Sequence, residues 1–227
     1  IVRDAGTYIG TDLNNYEDAL TFGEFSDTWI NRYVAAGESG RGGLSDEMLT
    51  DFGARLETHL STRPADAVAW GWKEPRSIYL LPFYNEQMPT LRFLHFIRDG
   101  RDMAFSDNQQ QLRKHGKTVF DGSWPAWRAP LRSIELWNRV NLQAADFGEQ
   151  VLGDRYLRVR FEDLCNEPAD TVARIFTFFG LEGDAEEVAA KEVKPPGSLG
   201  RWRNEGKRIV ADMERRAGES LSRFGYL

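Results

Sequence analysis

The spacing of apolar positions changes period several times along the chain, and each change marks an element. Over residues 14–36 apolar side chains recur at helical intervals, with Leu20, Phe25, Trp29 and Tyr33 on one stripe, and Gly23 is expected to interrupt it. Ser45 is expected to cap a second helix that has Asp46 and Glu47 in its first turn. Its apolar face is Met48, Leu49, Phe52, Leu56 and Leu60, and Arg63-Pro64 ends it. Residues 67–72, AVAWGW, predict a short strand that runs into the polar turn Lys73-Glu74-Pro75-Arg76-Ser77. A helix through Ile78, Leu81, Phe83 and Tyr84 follows, shortened or kinked by Pro82. Residues 91–97 carry Leu91, Phe93, Leu94, Phe96 and Ile97, the pattern of a buried strand.

That strand ends in Arg98-Asp99-Gly100-Arg101-Asp102, a charged turn with glycine for the bend and Asp102 as cap of a helix over residues 102–113. A helical stripe over 131–147 uses Ile134, Trp137, Ala144 and Phe147. Residues 155–161 alternate, with Leu157, Val159 and Phe161 on one face and Arg158 and Arg160 on the other. A helix over 168–179 buries Val172, Ile175, Phe176 and Phe179 and stops at Gly180. A short one covers 184–193, and a last amphipathic helix starts near Gly206 and carries Ile209, Val210, Met213, Ala217 and Leu221. Residues 1–6 read as the last turn of a helix closed by glycine. Residues 37–43, GESGRGG, read as a flexible linker rather than a phosphate loop, because no Gly-Lys-Ser/Thr follows. Residues 118–130, with Phe120, Trp124 and Trp127, read as an aromatic loop able to act as a lid or to pack as core. Three strands separated by helices predict an α/β fold of three layers, α/β/α, around a central parallel sheet and mostly helical by content.

Composition narrows the partners. At 227 residues, with 41% apolar and 28% charged residues, the chain is long enough for one α/β domain with a real core. The balance of 29 Lys and Arg against 35 Asp and Glu leaves a formal charge of −6, which disfavours nucleic acid as a partner and requires any anion site to be a local cluster. A single cysteine, Cys165, excludes an intrachain disulfide framework and a cysteine-rich metal site; it sets the expectation of a reducing, cytoplasmic location. No apolar run is long enough to span a bilayer.

In open parallel sheets ligands bind beyond the carboxyl ends of the strands. The turns expected there, with the loop Gly200-Arg201-Trp202-Arg203, bring together Lys73, Arg76, Arg98, Arg101, Arg201 and Arg203, enough cations for a ligand with more than one phosphate-like group. Arg98 at a strand end and Ser106 one turn into the next helix can share one phosphate, helped by free amides at the helix N-terminus. Plainer roles stand beside these. Arg98 can be a surface ion-pair partner, Trp202 a packed anchor rather than a stacking platform, and Glu162 a brace for a helix or an arginine. His95 is expected in the core, and His59 and His115 in solvent.

Four segments taken together resemble the sulfotransferases that use 3′-phosphoadenosine 5′-phosphosulfate (PAPS), in their bacterial branch. They are WGWKEPRS at 70–77, FIRDGRDMAFS at 96–106, VRFEDL at 159–164 followed by Pro168, and GRWRNE at 200–205. The resemblance implies a fold related to the P-loop kinases, and transfer of a sulfuryl group to a hydroxyl or amine of a small-molecule, carbohydrate or lipid acceptor. It implies that Arg98 and Ser106 hold the 3′-phosphate, that Arg201, Trp202 and Arg203 close over it, and that Lys73 stands near the transferred group. The product would be adenosine 3′,5′-bisphosphate, and no metal is required. Pro75 stands where some members carry a histidine base, which leaves Glu74 as the candidate base or as an ion-pair partner of Arg76 or Lys73. The resemblance further implies one domain over 1–227 that is incomplete at its start, with roughly 20–30 residues of strand, loop and helix upstream. Two other readings are a non-catalytic module that holds acidic sugars or RNA through the arginines, and a kinase, which would need a phosphate loop of its own.

Overall fold

The computed structural model describes residues 1–40, 44–126 and 128–227. Four short strands alternate with ten helices among these residues. The first strand, β1 (Thr7–Tyr8), is followed by α1 (Leu20–Gly40), α2 (Ser45–Ser61) and β2 (Ala69–Trp70). A 3-10 turn (Pro75–Tyr79) leads into α3 (Leu81–Gln87), β3 (Phe93–Ile97), α4 (Gly100–Ala104), α5 (Gln110–Val119) and α6 (Ala129–Phe147). The chain closes with β4 (Tyr156–Arg160), α7 (Phe161–Asn166), α8 (Pro168–Phe179), α9 (Ala185–Glu192), a 3-10 turn (Arg201–Asn204) and α10 (Lys207–Arg223).

The fold is α/β and pairing within the ladders is parallel. The four strands make two ladders of two, β1 with β2 and β3 with β4, the second in register from Phe93 opposite Tyr156 to Ile97 opposite Arg160. β1 was not legible as a strand, and residues 1–6 are turns that lead into it rather than the end of a helix.

Alternation along β3 decides what covers it. His95 and Ile97 are buried, whereas Phe96 points the other way and is 44% exposed. Ile97 joins Ile134 and Trp137 of α6 and Met213 and Leu221 of α10 in one apolar cluster. A larger cluster packs Phe22, Phe25, Trp29 and Ile30 of α1 against Phe52 of α2 and Phe83 and Tyr84 of α3. Each such side chain contributes about 1.5–3 kcal/mol by leaving water. A third cluster, with Leu164, Val172, Phe176 and Val188, joins α7, α8 and α9.

Several sequence expectations change here for local reasons. Gly23 does not interrupt α1; the break falls at Gly37, whose φ of 57° is costly for other residues. The linker reading of 37–43 lies partly outside the described residues, at 41–43. Ser45 is the first residue of α2, after Leu44 at the cap position. The helix expected over 102–113 is two helices, α4 and α5, separated by residues 105–109. His59 is buried against Tyr8 and bonds the Gly71 carbonyl oxygen at 3.0 Å. His115, inside α5 rather than in a loop, is 1% exposed and faces Asn31 at 3.1 Å. In the aromatic stretch, Phe120 is core, Trp124 is 43% exposed, and Trp127 lies outside the described residues.

Candidate functional site

Arg98 is the first residue beyond β3, so its position is fixed by five ladder pairings and by the burial of Ile97 beneath it. Its backbone oxygen accepts the indole N–H of Trp137 at 3.1 Å. Its Nη2 donates to Asp102 Oδ2 at 3.0 Å and to the oxygen of Ser198 at 2.6 Å, while its Nε is buried with no partner. An arginine donor left buried and unpaired is costly, and an anion beside it would supply the missing acceptor.

The turn after Arg98 differs from its sequence reading. Asp99, not Asp102, caps α4: its carboxylate accepts the N–H of Arg101 at 2.8 Å. The helix is five residues long and this amide is already taken, so the cations rather than a helix N-terminus make the site basic. Gly100 is needed for close packing rather than for the bend, since a Cβ there would lie 2.4 Å from the Trp137 ring. Arg101 turns inward, with Nη2 2.8 Å from Asp99 Oδ2 and Nη1 2.6 Å from Glu214 Oε1. Burial alone would lower its pKa, but the Asp99 and Glu214 carboxylates outweigh it and hold the guanidinium charged. Arg101 is therefore a structural cation and not a free one.

The 3-10 turn at 201–204 folds onto this strand end. Arg201 Nη1 donates to the oxygen of Phe105 at 3.1 Å, which places it beside Ser106. Ser106 follows α4 instead of lying within it; its hydroxyl accepts the N–H of Asn108 at 3.3 Å and keeps its own proton to donate. Trp202 has Arg101 over its ring at 3.8 Å and Arg203 at 4.8 Å, so two guanidinium groups occupy it. That makes it the packed anchor of the turn rather than a platform for a base. Arg203 is exposed at the rim. Arg98, Ser106 and Arg201 thus fit an anionic group such as a phosphate.

Glu162 is a brace. Its Oε1 accepts the N–H of Asp99 at 3.0 Å and its Oε2 the hydroxyl of Tyr226 at 2.9 Å, tying α7 and the C-terminal residues to the same turn. Burial first, and then this carboxylate, push the Tyr226 phenol up, so it stays a donor.

Lys73 and Glu74 belong to the other ladder and are held by other residues. Lys73 is 54% exposed at its side chain, pairs with Asp18 at 3.2 Å and donates to the oxygen of Tyr16. Glu74 is 8% exposed. Its Oε1 accepts Arg76 N at 3.0 Å and Arg76 Nε at 2.8 Å, and Oε2 lies 3.4 Å from Arg76 Nη2. Arg76 reaches on to Asp27 and to the oxygen of Gly23 at 3.0 Å. Of the two roles open to Glu74, this geometry gives it the ion pair. Sequence reasoning missed Asp102 as an acceptor and Ser198 altogether. Asp102 had one visible signal, its position four residues after Arg98 at the start of a helix.

Fold and strand-end geometry describe an α/β protein with a cluster of arginines beyond the end of β3. The profile of the sulfotransferase family matches residues 12–186, and the chain belongs to that family. Over 110 residues it is 28% identical to carbohydrate sulfotransferase 5 of Mus musculus and 29% identical to carbohydrate sulfotransferase 6 of Homo sapiens. Each match covers 45% of this chain and 28% of the relative's length.

Proposed function

We propose that the chain takes part in transfer of a sulfuryl group from PAPS to a hydroxyl or amine, with a carbohydrate as acceptor. The observation that carries this is the docking of residues 198–204 on the end of β3, which brings Arg201 to the Phe105 oxygen beside Ser106 and ties Arg98 to Ser198. Family membership supports the reaction class, and the names of the two relatives support a carbohydrate over a lipid or another small acceptor.

PAPS, when bound, supplies the activated sulfuryl group. In this reading Arg98, Ser106 and Arg201 bind its 3′-phosphate, Arg203 adds charge at the rim, and Trp202 fixes the turn that carries both arginines. Lys73 is assigned to the bridging oxygen, where an ammonium offsets charge developing as the bond to sulfur breaks. Lys73 is 54% exposed at its side chain, so water can replace Asp18 and the Tyr16 oxygen at the ammonium when it exchanges partners. Glu74 is assigned to shaping the turn from which Lys73 projects, not to the acceptor's proton, because Arg76 occupies its carboxylate.

The test is formation of adenosine 3′,5′-bisphosphate from PAPS with a panel of carbohydrate acceptors, followed by mass spectrometry of the acceptor. Acceptor-dependent release with sulfated sugar, reduced at least about a hundredfold in Lys73→Ala, is expected for one oxyanion-stabilising cation. Release that ignores the acceptor, or that Lys73→Ala leaves unchanged, would overturn the assignment.

A further inference from the structure

Asp102 is 2% exposed, and a carboxylate so buried requires partners. Those it has come from both halves of the candidate site. Oδ2 accepts Arg98 Nη2 at 3.0 Å and the N–H of Gly200 at 2.7 Å, and Oδ1 accepts the N–H of Trp202 at 3.2 Å. Arg98 lies more than a hundred positions before the other two. Around this centre the same turn is held by Arg98 to Ser198, by Arg201 to Phe105, and by Trp202 between Arg101 and Arg203. Gly200 has φ of 71°, the left-handed region that favours glycine.

A carboxylate beside an anion site is at first sight repulsive. Here two backbone N–H groups share its charge with Arg98, of which it takes Nη2. We propose that Asp102 is a positioning residue: it locks residues 198–204 onto Arg98, so that Arg98 and Arg201 stand together before any ligand arrives. Holding cations ready in this way removes part of the ordering cost of binding. The lock itself depends only on the geometry above; its purpose, a preformed 3′-phosphate site, rests on the reading under Proposed function.

The experiment is hydrogen exchange at the amides of residues 198–204 in the ligand-free full chain, with parallel titrations of adenosine 3′,5′-bisphosphate and adenosine 5′-phosphate. Asp102→Ala is expected to raise exchange at Gly200 and Trp202 about tenfold or more, the scale of losing a hydrogen bond to a charged group. The amides of α8 should not change. Asp102→Asn keeps one acceptor oxygen and should fall between. Affinity for the bisphosphate should drop about tenfold in Asp102→Ala, while that for the 5′-phosphate holds, a split that general loss of structure would not give. Asp102→Asn, close in shape to the native residue, carries the test if Asp102→Ala fails to fold. Unchanged exchange at both Gly200 and Trp202 in Asp102→Ala, or in Asp102→Asn where that variant is the one that folds, would overturn the lock. Altered exchange in a protein that makes no distinction between the two nucleotides would leave the lock standing and overturn the 3′-phosphate reading alone.

Discussion

Arg98 and Lys73 both follow the carboxyl end of a strand, yet they are held very differently. Arg98 is part-buried, with one Nη on Asp102 and Ser198 and its Nε unpaired; Lys73, 54% exposed, rests on Asp18 and the Tyr16 oxygen. This is the arrangement expected of one residue that holds a fixed anion and another that moves to a reacting atom. Glu74→Ala is predicted to destabilise the fold by about 1–3 kcal/mol, since it removes the buried acceptor of Arg76 while Asp27 and the Gly23 oxygen remain; Glu74→Gln should cost less. Urea unfolding checks this, and a stable Glu74→Ala that had lost only transfer activity would return the residue to the role of base. The sequence could place Arg98 at a strand end because the strand's pattern is local. It could not separate Arg101 from the free cations, because the carboxylate that draws it inward, Glu214, lies more than a hundred positions away.

At the scale of elements, α4 is the joint between the strand end and the helices behind it. It packs on α6 so closely that position 100 has room for hydrogen only. Gly100→Ala is predicted to cost about 1–3 kcal/mol by overpacking against Trp137 and Ile134, and to weaken nucleotide binding by shifting Arg98, whose backbone oxygen Trp137 holds. Thermal unfolding together with titration checks both parts. Full stability in Gly100→Ala would show that α6 can retreat and that the joint is soft. Helix α8 was legible within a residue because its stripe is regular and Gly180, with φ of 66°, stops it. Strand β1, two residues long, carries no periodicity to read. The ends of α4 were hidden because Asp99 and Asp102 look alike in sequence, and only the fold shows which of them caps.

Across the whole molecule, buried histidines set the response to acid. Burial pulls His95 down to about 4. Its ring is held neutral in one tautomer, with Nε2–H donating to Asn141 Oδ1 at 2.9 Å and Nδ1 accepting from Tyr156 at 2.7 Å. Burial, helped by Arg76, pulls His115 to about 4 as well. An unfolded chain protonates these rings near 6.5. Stability is therefore full above about pH 6.5 and falls as pH drops toward 4, because the unfolded state takes up protons that the fold refuses. The slope is about 1.4 kcal/mol per pH unit for His95 alone. Denaturant midpoints between pH 7 and 5 check this, and a flat profile would contradict the buried, neutral assignment. The pattern of helices and strands made the α/β class legible, but not the split into two ladders, since which strand edges meet is a property of the packed whole. The burial of His59 and His115 was hidden for the same reason: Gly71 and Asn31, which cover them, come from other elements.

The proposed function requires Arg98 to recognise the phosphate that does not react. Its most direct test is calorimetric titration of the full chain with adenosine 3′,5′-bisphosphate and with adenosine 5′-phosphate, repeated on Arg98→Ala. The predicted result is preference for the bisphosphate, lost by a factor of about ten or more when Arg98 is removed, as for a charge-assisted contact. Equal affinity for the two nucleotides, or a preference that survives in Arg98→Ala, would contradict it.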